Sequence, residues 1–399
     1  MNVFLKLLRW LGIPSGLLLI GLGLRVKSPW VRFPAILLGS ISGLMGGLVD
    51  YWSFRPNRAW LNPRIPLESW EVVDDGQHNS NTDMTYWRGA FYLVHAASPY
   101  HLASDRCHLV VLRSPDGRHW ERIARLDTAP EDIRDPKLTV IGERLFLYAL
   151  KNVELNPEPY TTVSTCSVDG VTWEPLREIE PQGWLFWRPK SRDGKTWYVP
   201  AYRREHGRSA LFASNDGQDW RYVSQIYEGG RNDETDIEFL PDGRMIATAR
   251  LEYGESPFGH PKGSTLITVS DATYQQWEKK LESRLTRLDG PNLFSWRGNV
   301  YAVGRYQPEV RGPHAWQGSA FSRKRTALFA VSESGLVYLT DLPSSGDTSY
   351  AGVVVKDDDL YTCYYTSDIR RDPSWIIGML DPSSIRMARL PMAALEAAI

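Results

Sequence analysis

Cysteine is scarce: the 399-residue chain has three, Cys107, Cys166 and Cys363, scattered and odd in number. They lack the short paired spacing of metal ligands, so neither a disulfide framework nor a zinc site is indicated. Net charge is nearly absent too, at −1, with 46 Lys and Arg against 47 Asp and Glu. Without a basic excess there is no electrostatic footprint for nucleic acid. Rossmann fingerprint, P-loop, Gly-x-Ser-x-Gly and zinc motifs are all missing. Hydride, phosphoryl and serine-hydrolase chemistries are therefore unsupported, and no metal or cofactor is expected.

What the chain has in quantity is aromatic rings and turn residues: 16 Trp, 19 Tyr, 32 Gly and 26 Pro. That mixture predicts short strands joined by tight turns. The N-terminus differs. "SGLLLIGLGL" (Ser15 to Leu24) and "FPAILLGSISGLMGGLV" (Phe33 to Val49) are apolar, with Arg25, Lys27 and Arg32 between them. The second run is uncharged and close to the roughly 17–20 residues that cross a bilayer. No small-x-small cleavage site follows an early apolar run, which argues for an anchor over a signal peptide. The basic residues before the second run predict a cytoplasmic side there, with the rest of the chain on the non-cytoplasmic side. The predicted organisation is an anchor of one or two membrane helices over 1–54, a linker and approach strand over 55–78, a large domain over 79–390 and a tail over 391–399.

Three stretches in that domain repeat: "SPDGRHW" (Ser114 to Trp120), "SVDGVTW" (Ser167 to Trp173) and "SNDGQDW" (Ser214 to Trp220). Each closes a longer unit of strand, turn, aromatic-rich strand and third strand. Six such units can be followed, opening at "NTDMTYWRGAFYLVHA", "IRDPKLTVIGERLFLYAL", "FWRPKSRDGKTWYVPAYR", "TDIEFLPDGRMIATAR", "PNLFSWRGNVYAVGR" and "TSYAGVVVKDDDLYTCYY". Units four and five end in weaker versions, "SDATYQQW" and "SESGLVY". Six units of four strands predict an all-β, six-bladed β-propeller with blade-closing strands near both ends. In the repeated turn, Asp can accept backbone N–H bonds, Gly permits positive φ and Trp packs on the blade. Asp116, Asp169 and Asp216 are thus structural.

In a propeller the first strand of each blade lines the central axis. The strand starts supply Asp83, Arg134, Asp135, Arg188, Glu234, Asp236, Asn292 and Tyr350, and the ends of second strands add His95, Lys151, Arg203, Arg250 and Arg305. Charges gathered on one axis are costly unless paired or functional. They form either a salt-bridge ring that plugs the channel or a pocket for an anionic or polyhydroxyl ligand.

The Ser-x-Asp-Gly-x-x-Trp turns resemble the Asp boxes, or BNR repeats, of sialidases. "NDETDIEFLPDGRMIATAR" is similar to the sialidase segment in which a Glu opens an inner strand and an Arg closes the next, here Glu234 and Arg250. "DTSYAGVVVKDDDLYTCYYTSD" resembles the segment bearing the nucleophilic Tyr, here Tyr350, and "RKRTALFAVSES" the one bearing a substrate-binding Arg, here Arg325 or, with a one-residue slip, Arg323. The loop "HAASPYHLASDRCHLVVLRSPDG" stands where the acid/base Asp would be, here Asp105. The resemblance implies a retaining glycosidase with a Tyr/Glu nucleophile pair and a carbohydrate substrate. It implies substrate contacts from Arg250, Arg325, Arg134, Arg188, Arg305, Asp83, Asp135 and Asn292. The chain departs from the family where the family opens blade one with Arg-Ile-Pro: here that place reads Thr82-Asp83, and Arg64-Ile65-Pro66 lies earlier.

Two alternatives remain open. "IRDPKL" resembles the Arg-Asp-Pro motif of five-bladed furanosidases and fructosidases, which would give Asp83, Asp135 and Glu234 the catalytic roles. Asp-box propellers also include proteins that bind glycans or protein without cleaving them.

Overall fold

The computed structural model describes residues 3–152, 159–312 and 314–399. From Glu68 to Pro391 the strands form six antiparallel sheets, the blades of one propeller. Blade one shows the plan, with His78–Trp87 innermost, then Ala90–Ser98, His108–Ser114 and Glu121–Leu126. Blades two, four and five repeat it. Blade three has five strands because its inner strand is broken into Trp184–Phe186 and Lys190–Ser191. Blade six is composite: Thr348–Lys356, Asp359–Thr366 and Ser384–Pro391 are closed by Glu68–Val73, with Trp70 opposite Met387.

Alternation along each strand sends neighbours to opposite blades. In Arg144–Asn152 of blade two, Leu145, Leu147 and Ala149 pack with Val94, Leu109 and Val111 of blade one. The intervening Phe146 and Tyr148 pack with Phe186 and Val199 of blade three. Leu147→Ala would open a cavity between two blades and cost about 2–5 kcal/mol.

The repeated turns are self-contained hydrogen-bonded knots on the periphery. The Ser114 hydroxyl donates to Asp116 Oδ1 at 3.0 Å and accepts the Gly117 N–H at 2.8 Å. Asp116 Oδ1 in turn accepts the N–H groups of Arg118 and His119 at 2.8 and 2.9 Å. Ser167–Gly170 and Ser214–Gly217 repeat this geometry. A fourth copy, "SRDGKTW" (Ser191 to Trp197), has the same bonds about Asp193 but joins the first two strands of blade three, outside the rhythm of the others.

Ahead of the propeller lies a helical hairpin, α1 (Val3–Arg25) and α2 (Pro29–Phe54). Among the described residues α2 alone is long and apolar enough to cross a membrane, and the apolar part of α1, Trp10–Arg25, is shorter. The helices touch through small residues: a Cβ on Gly16 would come within 2.6 Å of the Gly39 carbonyl oxygen. The Ser15 and Ser42 hydroxyls meet at 3.0 Å across the same seam. The C-terminal end of α2 rests on the propeller. Val49 packs on Ile377 of the short helix α3 (Trp375–Leu380), and the Asp372 and Ser374 N–H groups donate to the Arg55 and Trp52 carbonyls at 2.7 and 3.2 Å. The chain then runs along the outer strand of blade five, where the Asn62 N–H donates to Thr340 Oγ1 at 3.0 Å.

Candidate active site

Every inner strand carries one extra residue near its start. The pairing steps from Ser80↔Ala96 to Asp83↔Val94 in blade one and from Arg134↔Leu150 to Lys137↔Tyr148 in blade two. The same step separates Asn232↔Leu251 from Thr235↔Ala249, Asp289↔Arg305 from Asn292↔Val303, and Ser349↔Tyr365 from Gly352↔Cys363. The break in blade three, between Phe186↔Ala201 and Lys190↔Tyr198, is its counterpart. A bulge re-aims side chains at one point of a strand. The residues so turned are Asn81-Thr82, Asp135-Pro136, Arg188-Pro189, Asp233-Glu234, Gly290-Pro291 and Tyr350-Ala351. Ser349 and Tyr350 hold φ of 103° and 47°, a conformation worth of order 1–3 kcal/mol of strain for residues with a Cβ.

Two bulges meet in front of the inner strand of blade five, which lies between their blades. The Tyr350 hydroxyl donates to Glu234 Oε1. Glu234 Oε2 accepts the Gly290 N–H at 2.7 Å and faces Arg250 Nη1 at 3.0 Å. Arg250 also grips Asp233, its Nε lying 2.7 Å from Oδ1. Asp289, one residue before the Gly290 bulge, takes Arg287 at 2.7 Å and Arg305 at 3.2 Å. The Arg305 guanidinium lies over the Tyr350 ring at 5.4 Å and over the Trp375 ring at 4.4 Å.

Burial, and then the Glu234 carboxylate, push the Tyr350 phenol well above its ordinary value, so it is neutral at pH 7. Burial opposes ionisation of Asp289, but Arg287, Arg305 and Arg250 outweigh it and hold the carboxyl well below its usual range. On the far side of the axis, Lys137 sits over the Trp187 ring at 4.3 Å, and burial pulls its ammonium down to about 8. A phenol bound to a carboxylate can pass its proton across and attack as phenolate. Adjacent guanidiniums are suited to a carboxylate or a sugar hydroxyl.

Solved structures of three kinds share this architecture. A mutant of Trypanosoma rangeli sialidase displaying trans-sialidase activity superposes with a TM-score of 0.59 at 14% identity, over 85% of this chain and 61% of that one. The phage phi92 endosialidase gives 0.58 at 14% identity, over 82% and 69% of the two chains, and the NanB sialidase of Streptococcus pneumoniae 0.57 at 10%, over 82% and 70%. The fold is that of the sialidase-like six-bladed propellers. The present propeller spans about three-fifths of the length of the trypanosomal enzyme. No protein-family model and no curated protein matches the chain.

Within this sialidase-like propeller the residues singled out by sequence are not all neighbours. Glu234, Tyr350, Arg250 and Arg305 form the cluster just described. Asp83 is held by Arg188 at 3.0 Å, and Arg188 also reaches the Pro291 and Ala351 carbonyls. Asn292 donates to the same Ala351 carbonyl at 2.9 Å. Asp135, half-buried, accepts from Asn81. Arg134 is paired with Asp132 at 2.6 Å. Arg325 is fully enclosed with both Nη groups on Asp372, so its contacts lie beside α3 and not on the Tyr350–Glu234 pair. Arg323 pairs with Glu309 at 2.5 Å. Asp105 is exposed on the loop joining the second and third strands of blade one. Arg64 is exposed on the approach to the outer strand of blade six, away from the inner strands.

Sequence reasoning passed over Asp233, Asp289, Gly290 and Trp375, all of which touch this cluster or stand one residue from it. A signal was available for the bulges. Proline inside a strand belongs at an edge or a bulge, and Pro136, Pro189 and Pro291 stand at equivalent places in three innermost strands.

Proposed function

We propose that the protein is a membrane-anchored, sialidase-like glycoside hydrolase acting on an acidic or polyhydroxyl sugar, with its propeller on the non-cytoplasmic side. Tyr350 is the nucleophile, Glu234 takes its proton, and Asp105 is the acid/base supplied by the overhanging loop. Arg250 and Arg305 bind anionic or hydroxyl groups of the sugar, with Arg134, Arg188, Asp83, Asp135 and Asn292 lining the rest of the pocket and Arg325 behind it. The contact between Tyr350 and Glu234 carries this reading. A neutral phenol is not repelled by an anionic substrate, and a carboxylate beside it makes it nucleophilic when needed.

The mechanism follows from that pair. The sugar enters with its anomeric carbon over Tyr350. Proton transfer to Glu234 accompanies attack of the phenolate oxygen, and Asp105 protonates the departing oxygen. Asp105 then draws a proton from water as its oxygen attacks the anomeric carbon, and the Tyr350 oxygen departs and takes its proton back from Glu234. Arg250 compensates the charge on Glu234 in each resting state.

One observation favours a non-catalytic glycan-binding propeller instead. Trp187 and Arg188 are 1% and 8% exposed and fill the axis beside Tyr350, which is itself only 7% exposed. The deciding experiment is a screen of the full chain in detergent against aryl glycosides of acidic and furanose sugars, with glycan binding measured on the same preparation. Release of the aryl group that disappears in Tyr350→Phe supports the hydrolase. Binding without release supports the alternative, and turnover lost in Asp83→Asn or Asp135→Asn but kept in Tyr350→Phe supports furanosidase-like chemistry. Extraction of the full chain by alkaline carbonate without detergent would remove the anchor.

A further inference from the structure

Behind Arg305, three side chains from distant parts of the sequence converge on one point. His78 opens the inner strand of blade one, His101 lies on the loop after that blade's second strand, and Asp347 immediately precedes the inner strand of blade six. His78 Nε2 and His101 Nδ1 face the same carboxylate oxygen, Asp347 Oδ2, at 3.1 and 2.7 Å. All three atoms lie within 4.8 Å of one another. Apart from these contacts with one another, none of the three atoms has a hydrogen-bond partner among the described residues. His78 and Asp347 are completely buried, while the His101 side chain is 20% exposed and leaves one side open.

The surroundings fix which atoms are free. His78 Nδ1 lies 2.8 Å from the Asp381 carbonyl oxygen, so it must be the N–H donor. A neutral His78 therefore turns the lone pair of Nε2 toward a carboxylate oxygen, which repels it unless a cation stands between them. Asp347 Oδ1 is occupied by the Tyr365 hydroxyl at 2.9 Å and the Trp375 N–H at 2.8 Å. Oδ2 is left for the two histidines alone. Orienting bonds on the far atom of each ligand are the usual outer support of a metal centre.

We propose that His78 Nε2, His101 Nδ1 and Asp347 Oδ2 hold a divalent cation of the zinc class, with solvent completing its shell on the His101 side. Two imidazoles and one carboxylate suit such borderline ions, and an ion about 2.0–2.1 Å from each ligand sets neighbouring ligands about 3 Å apart. The ion clamps the blade-one loop to blade six and to α3, beside Arg305 and so one side chain from Tyr350. No sequence motif announces it, because the ligands are separated by most of the domain.

Zinc binding by the full chain in detergent, stripped with a chelator and titrated in competition with a chromophoric chelator, tests this independently of any turnover. The expected result is one zinc per chain, an unfolding temperature that rises with zinc, and an affinity lower by about 100-fold or more in His101→Gln. Should that variant misfold, cobalt(II) added to the parent protein gives the answer: visible d–d bands from a bis-imidazole carboxylate site support the proposal, and a featureless spectrum overturns it. Zinc uptake equal in the parent and His101→Gln, with His78 observed by NMR as an imidazolium, also overturns it and leaves a proton between His78 and Asp347.

Discussion

The Tyr350 hydroxyl donates its hydrogen bond to the Glu234 carboxylate in front of blade five, joining blade six to blade four. Glu234 keeps Arg250 and the Gly290 N–H if that hydroxyl is removed. Tyr350→Phe should therefore lower stability by only about 1 kcal/mol. Turnover should fall by about 10³-fold or more, roughly 4 kcal/mol of barrier. Thermal unfolding and aryl-glycoside release on one preparation separate the two effects.

Arg250 behaves differently because it balances two buried carboxylates, Asp233 and Glu234. Arg250→Ala strands both, and removing one partner of a buried pair costs about 3–5 kcal/mol. Denaturant unfolding should show a loss of that order, together with lost activity. A loss under about 1 kcal/mol would mean that the carboxylates are already protonated or solvated.

Gly290 is the position where a single methyl group tests the geometry of the site. Its φ is +60°, and a Cβ there would lie 2.9 Å from the Tyr350 ring. Gly290→Ala should push the ring off Glu234 and reduce turnover by about 10²-fold, as displacements near 1 Å do. Binding of a glycan that does not touch Tyr350 should persist.

Lys137 gives a pH signature. Burial pulls its ammonium from 10.5 down to about 8. Between those values the unfolded chain binds the proton and the folded chain does not, so stability rises with pH there. Below about pH 8 the folded parent carries the full burial penalty of the ammonium, which Lys137→Met lacks. Relative to Lys137→Met, the parent should gain up to about 3 kcal/mol between pH 8 and 10.5. Denaturant unfolding of both proteins across that range checks the sign.

The blade count and the order of strands were legible because a propeller writes itself as a period, with turn residues marking each unit. Blade six was legible only as far as blade-closing strands near both ends of the domain, which the pairing of Glu68–Val73 with Ser384–Pro391 makes specific. The pairing of Glu234 with Tyr350 was accessible through the likeness of two segments to sialidases. What stayed hidden are relations that no period encodes. Arg325 sits in a stretch that resembles a substrate-binding segment, yet its partner is Asp372 in the loop before α3, whose N–H donates to the Arg55 carbonyl at the end of the helical hairpin. Asp233 and Asp289 balance arginines that were visible, but only the bulges bring those charges together. The prolines at 136, 189 and 291 are the one sequence signal for those bulges.

The closure of blade six also has a consequence for how the chain is made. Trp70 and its partner Met387 are separated by roughly 300 residues. At about 5–20 residues per second, the strand Glu68–Val73 waits about 15–60 s for the strand it will pair with. Throughout that interval five blades can form, but the ring stays a split washer with an unpaired edge on each side of the gap, and open edges invite other strands. The hairpin that precedes Glu68 emerges first, so the waiting strand is held beside it from the start. Any interruption of synthesis before Ser384 yields a chain that cannot lock, however well its earlier blades have folded.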